Sequence, residues 1–181
     1  LILVCGSVMT GTGSKSYWKE LMDQIAGRER VSHIDVEEME SEETENWNEI
    51  QVFNEIRKET GISPVRLGYM PETLFFTGYE LDKEQSRAVI FYKYNDQIIQ
   101  YAMYMNNQDS SYGRTELDQL VDEYQIEMNN KIIIDVKEYS VVNRENNRYV
   151  AEFEYKDAQY QLTGLMEKEE FDKIIENLIF L

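Results

Sequence analysis

The feature that most constrains the fold of this chain is a series of short segments with alternating apolar and polar residues. In residues 148–155, one set of alternate positions is occupied by Tyr149, Ala151, Phe153 and Tyr155. Alternation of this kind is typical of a half-buried antiparallel strand, because successive side chains point to opposite faces of the sheet. Asn95-Asp96 and Asn129-Asn130 lie between such segments and favour two-residue hairpin turns. Consecutive antiparallel strands are therefore expected.

The alternation predicts strands over 73–81, 87–94, 97–105, 125–128, 131–142, 148–155 and 159–165. Three other segments, 46–61, 116–124 and 167–178, have apolar residues at the spacing of one helix face. These apolar residues are Trp47, Ile50, Phe53 and Ile56, then Leu117, Leu120, Val121 and Tyr124, and finally Phe171, Ile174, Ile175 and Leu178. The expected fold class is α+β, an antiparallel β-meander sheet with flanking N-terminal, middle and C-terminal helices.

The first 45 residues differ from this pattern. Residues 1–9 form an apolar run that is shorter than the roughly 20 residues needed to span a bilayer. We expect 1–14 to be the remnant of a membrane anchor or signal segment, with a buried strand or a lipoprotein cleavage site at Cys5 as alternatives. Residues 15–45 are expected to be an N-terminal helix and an acidic linker. The folded α+β domain is then expected to cover 46–181.

The charge of the chain limits its partners. Its 35 acidic residues outnumber 18 basic ones, for a formal net charge of −17. A phosphate backbone or an anionic membrane face would repel such a surface, so no nucleic acid partner is expected. Contact with the membrane is expected through the N-terminal anchor only. The expected partner is a protein or a small ligand outside the cell.

The sequence indicates no catalytic residue, no metal site and no cofactor. His33 is the one histidine, and a multi-histidine metal site needs more. Glycines near Lys15 lack the spacing of a phosphate-binding loop. Glu152 and Glu154 are the one pair of acids that the alternation places on the same strand face. A solvated face explains that pair better than a glycosidase site does.

The loop with the most site-like composition follows the strand predicted over 97–105. Its candidate binding residues are Asp109, Ser110, Ser111 and Tyr112. Polar loops that follow a strand often carry binding residues. The alternative is a simple connection in which Asp109 caps its own turn.

Several segments resemble the family called domain of unknown function 4367. They are residues 61–71, 88–94, 109–113, 148–155 and 160–171, and the resemblance covers about residues 48–181. It implies an outer domain behind one transmembrane helix in Gram-positive bacteria, and it supplies no established catalytic residues. The implied localisation is the cell membrane, single-pass, with the domain on the extracytoplasmic side.

The expected function is therefore that of an extracytoplasmic, membrane-tethered sensory or protein-interaction domain without catalysis. An alternative is a carrier of an apolar ligand in a curved-sheet pocket. That alternative depends on aromatic and methionine side chains in the strands, namely Phe91, Tyr101, Met103 and Met105. A weaker alternative is a cell-wall glycoside hydrolase, which requires two suitably spaced carboxyl groups.

Overall fold

The computed structural model describes residues 49–105 and 118–181. These ranges contain the helices α1 (Glu49–Thr60) and α2 (Lys168–Glu176). Their strands are β1 (Val65–Leu67), β2 (Leu74–Asp82), β3 (Arg87–Tyr94), β4 (Gln97–Met105), β5 (Gln119–Glu127), β6 (Ile133–Ser140), β7 (Arg148–Tyr155), β8 (Ala158–Leu165) and β9 (Leu178–Phe180). The anchor, N-terminal helix and acidic linker expected within 1–45 lie outside the described residues.

Seven of the strands form one antiparallel sheet in the order β2-β3-β4-β8-β7-β6-β5. The sheet consists of two meanders, β2 to β4 and β5 to β8, which join where β4 pairs with β8. That pairing sets Gln100 opposite Thr163 and Met105 opposite Ala158. The expected α+β class with an antiparallel meander is confirmed, and β5 lies at the far edge of the sheet.

The two helices lie on the same face of this sheet, the helix face, which carries Ile90, Tyr101 and Leu162. These side chains pack in one core with residues of both helices, including Phe53 and Phe171. β1 and β9 form a second, two-stranded sheet. The opposite, outer face carries a smaller cluster of Val89, Phe91 and Ala102, with Ile98 packed against it.

Tyrosine hydroxyls fasten the helix face to the segments that cover it. Tyr101 donates to the Val65 carbonyl at 2.9 Å, and Tyr160 donates to the Ser63 carbonyl at 2.5 Å. Burial raises the pKa of both phenols. The rings contribute buried apolar area, and their hydroxyls donate to backbone oxygens that burial would otherwise leave without a hydrogen-bond partner.

Carboxylates on both helices accept the same kind of bond. Tyr92 donates to Glu49 at 2.6 Å, and Tyr79 donates to Glu55 at 2.8 Å, both on α1.

α1 ends at Thr60, and Gly61 adopts φ 77° while its N–H donates to the Arg57 carbonyl at 3.0 Å. Glycine takes this left-handed conformation at no steric cost, as the sequence predicted for the helix end. Asn46, the expected start, lies outside the described residues.

The helix predicted over 116–124 is wrong, because the described part of this segment belongs to strand β5. Leu120 and Val121 have helical spacing in sequence, but a bulge lies between Leu120 and Asp122 and shifts the strand register there. After the bulge the strand runs regularly to Glu127, opposite Ile133. The hairpin at Asn129-Asn130 is confirmed, but its loop has three residues instead of two, because the Met128 N–H bonds to the Ile132 carbonyl at 2.9 Å and Lys131 takes φ 65° between them.

The C-terminal helix is shorter than predicted. α2 ends at Glu176, and the side-chain amide of Asn177 donates to the Lys173 carbonyl at 2.8 Å. Leu178 then starts β9 and pairs with Leu67 of β1. The apolar residues after the helix therefore extend a small sheet instead of the helix. None of the described helices is long and apolar enough to cross a membrane.

Candidate interaction edge

The loop residues predicted to bind a ligand, Asp109, Ser110, Ser111 and Tyr112, lie outside the described residues. The acid pair is described. Glu152 faces Gln161 across the strands, and Glu154 faces Gln159 in the same row of the outer face. Glu152 is bound by Lys137 at 3.0 Å and by the Gln161 amide at 2.8 Å. These bonds make Glu152 part of a cross-strand ladder.

The four side chains that suggested an apolar carrier do not share one surface. Tyr101 and Met103 are fully buried in the core of the helix face, and Met105 packs against that core. Phe91 belongs to the cluster on the outer face. Core packing accounts for the first three residues, because they belong to or pack against the same core as the buried side chains of both helices.

The densest polar cluster of the described residues lies under the far edge of the sheet, around Glu138 of β6. Its carboxylate accepts bonds from Asn147 at 2.5 Å, Tyr149 at 3.0 Å and Lys168 at 3.4 Å. Burial acts to raise the pKa of Glu138, but these three donors together hold it below its ordinary value. Glu138 is therefore ionised at neutral pH, and a general acid would need the opposite shift.

Lys168, the first residue of α2, connects this cluster to β5. Its ammonium lies 3.4 Å from Glu138, 3.8 Å from Asp122 and 4.1 Å from the centre of the Tyr124 ring. A cation in the first turn of a helix opposes the helix dipole, and the two carboxylates and the ring offset that cost. Lys168 thus holds α2 against the edge strand.

Two further contacts fix β5 in place. The Tyr124 hydroxyl donates to Asp172 of α2 at 2.5 Å. Burial, together with this bond, raises the pKa of Tyr124 well above its ordinary value. Just before the strand, Asp118 forms an ion pair with Arg148 of β7 at 3.0 Å, with both side chains largely buried. The edge strand is therefore held to α2 and to β7 as well as to β6.

Large apolar side chains are exposed where β5 begins and β6 has ended. Leu120, Val121 and Val142 are 46%, 56% and 66% exposed. Leu120 faces Tyr139 near the end of β6, and Val142 follows that strand in sequence, so the three residues lie toward the same end of the β5–β6 pair. We call these three residues the apolar corner. Three large apolar side chains exposed near one corner are more typical of a contact site than a single exposed residue is.

Acidic side chains follow the corner along the edge. From Asp122 to Glu127 the strand is regular, and we call this segment the β5 edge. Its outer-face residues Glu123, Gln125 and Glu127 are exposed, as is Asp135 on the neighbouring strand. Within residues 49–105 and 118–181, no group of histidine, cysteine or acidic side chains is arranged to hold a metal ion.

Sequence reasoning predicted the end of this edge as a strand, over 125–128, but assigned its beginning to the helix over 116–124. Tyr124, Ile126 and Met128 alternate and all pack against the core of the helix face. That period of two covers the second half of the segment. In the first half, the bulge shifts the alternation by one residue, and the apolar residues before Tyr124 therefore have the spacing of a helix face.

Comparison with known protein families places most of the folded region in one family model. Residues 64–178 match the family model described as a domain of unknown function, DUF4367. None of the curated proteins and none of the solved structures matches the chain. The matched range includes β1, the whole seven-stranded sheet and α2.

Proposed function

Because the chain belongs to the DUF4367 family, whose description assigns no activity, we propose a role from the surface of the chain itself. The proposed role is an extracytoplasmic, membrane-tethered sensory or protein-interaction domain without catalysis. The observation that carries it is the apolar corner of Leu120, Val121 and Val142 beside the acidic β5 edge. Apolar anchors with a charged rim are typical of protein-protein contact sites.

The polar network supports an interaction role over a chemical one. Glu138 is saturated by three donors, and Lys168 is shared between two carboxylates and an aromatic ring. Groups held in this way position a strand, whereas catalytic acids and bases need a free direction toward a substrate. The carrier alternative gains no support from the helix face, where Tyr101 and Met103 are packed against other side chains.

The proposed placement rests on the sequence. The apolar run of residues 1–9 and the family resemblance, which implies Gram-positive membrane proteins, are its supports. We expect the full-length protein to sediment with membranes and the domain to be digested by protease added to intact cells. Recovery of the full-length protein in the cytosol, with the domain protected until the cells are lysed, would reject the tether.

The interaction role is tested by site-specific crosslinking in cells. A photoreactive residue at Val142 is expected to form an adduct with a partner, and Val121→Asp in the same chain is expected to reduce its yield strongly. The matched control is the same photoreactive residue at Gln85, which is exposed in the turn between β2 and β3. Equal adduct yields at Val142 and Gln85, or a yield at Val142 that Val121→Asp does not change, would show that the apolar corner is not the contact site.

A further inference from the structure

We propose that the β5 edge, Asp122–Glu127, binds an extended protein segment in which basic residues alternate with apolar ones. The bound segment would add an eighth strand to the seven-stranded sheet. This inference rests on the proposed function and names both the surface and the chemistry of the partner. Strand addition at a sheet edge is an established mode of peptide recognition, with main-chain bonds for affinity and alternate side chains for specificity.

The position of β5 supplies the backbone for such pairing. β5 is last in the strand order, and among the described strands it pairs with β6 alone. An edge strand presents a row of main-chain N–H and C=O groups on the side away from its neighbour. Between Asp122 and Glu127 the pairing with β6 has no register shift, so alternate residues present these groups at regular spacing, and at the start of the row the Glu123 N–H donates to the Asp122 side chain at 2.9 Å.

The two faces of the β5 edge favour different side chains on the partner strand. On the helix face Tyr124 and Ile126 are only half-buried, although both pack against the core. A strand added beside them would cover their exposed flanks with its own apolar side chains. On the outer face Glu123 and Glu127 are exposed. The same strand would place every second side chain beside these carboxylates, where a lysine or arginine is favoured.

The surrounding charge selects a basic partner. Asp135 and Glu154 are also exposed on the outer face of β6 and β7. Lys137, the cation that faces Glu123 across the strands, is bound to Glu152 at 3.0 Å. A second copy of the chain would bring the same acids and a net charge of −17 to the interface, so self-pairing is disfavoured.

The edge is also ordered before any partner arrives. The bond from Tyr124 to Asp172 and the contacts of Lys168 with Asp122 tie it to α2. An edge that is already fixed loses little further conformational freedom on binding, which favours affinity. The bulge at Leu120/Asp122 ends the regular row, so the paired segment of the partner is short.

The proposal is tested with synthetic peptides and the full chain. A peptide in which lysine alternates with valine is expected to bind, and a peptide with glutamate in place of lysine is not. Glu123→Lys with Glu127→Lys should weaken the lysine peptide about tenfold, as expected for two exposed ion pairs turned into repulsions. The matched control is Glu72→Lys with Glu84→Lys, two exposed acids near β2 that give the same change of net charge.

Main-chain pairing is tested separately from charge. Methylation of alternate backbone nitrogens along one edge of the peptide should abolish binding, whereas the same methylation along the other edge should leave it unchanged. Strand pairing at β5 is overturned if both methylated peptides bind as well as the parent peptide. It is also overturned if the protein with Glu123→Lys and Glu127→Lys binds the lysine peptide as tightly as the protein with Glu72→Lys and Glu84→Lys. The Val142 crosslink does not depend on these peptides, so a failure here leaves the interaction role itself standing.

Discussion

Replacing Phe171 by alanine is expected to lower the free energy of unfolding by about 3–5 kcal/mol, the usual cost of truncating a buried phenylalanine. Phe171 is completely buried on α2, and its ring stacks on the Tyr149 ring with centroids 5.2 Å apart. The cavity would open between α2 and β7, where little can collapse to fill it. Because domains of this kind have total stabilities of about 5–15 kcal/mol, the denaturant midpoint should fall markedly.

The matched control for Phe171→Ala is Glu176→Ala on the exposed side of the same helix. An acid in the last turn opposes the helix dipole, so this change should be neutral or slightly stabilising. Similar small shifts of the midpoint for both variants would mean that α2 is not docked on the sheet. That result would also remove the support that Tyr124 and Lys168 give to the β5 edge.

Raising the pH above about 10 is expected to unfold the protein over a narrow range, because buried tyrosines resist ionisation. Burial raises the pKa of Tyr92 and Tyr101 well above the ordinary value. Burial and the bond to Glu167 raise the pKa of Tyr94 to about 12. The stability from these phenols is complete below the pKa of an unfolded tyrosine and is lost as pH rises toward the folded pKa values. Two fully buried phenols alone give a loss of roughly 3 kcal/mol per pH unit.

The measurement is a titration that follows phenolate absorbance and far-ultraviolet circular dichroism on the same samples. Phenolate should appear in a steep step that coincides with loss of secondary structure. The reference is the protein in concentrated urea, where the 13 tyrosines should ionise in one broad transition. Gradual ionisation of all tyrosines near pH 10 with intact secondary structure would contradict the assigned tyrosine burial.

Much of the sheet was predictable because its central strands carry a buried row of side chains and two-residue turns join β3 to β4 and β7 to β8. The predicted bounds of β3, β4 and β7 match the structure. The pairing of β4 with β8 was not predictable from local pattern, since antiparallel neighbours need not be consecutive in sequence. Alternation specifies which side chains share a face, but it does not specify which strands are adjacent.

The candidate site was largely hidden from sequence analysis. An edge strand is solvated on several sides, so residues such as Glu123 and Gln125 carry no burial signal. Pairing with β6 decides their conformation, and the bulge beside Leu120 breaks the period. Asp109, Ser110, Ser111 and Tyr112 stay a prediction. The ionised Glu138 could not be foreseen, because its donors Asn147, Tyr149 and Lys168 are distant from it in sequence and only the fold brings them to its carboxylate.

The pairing of β4 with β8, which we call the seam, leads us to expect an order of folding events. Each meander contains contacts close in sequence, which form at low cost in chain entropy. The pairing of β4 with β8 brings Gln100 to Thr163 and therefore closes a long loop that contains β5, β6 and β7. The hairpins within each meander can form in microseconds, whereas β4 and β8 can pair only after both meanders have formed. We therefore expect the encounter of the two meanders to govern the rate at which the domain folds.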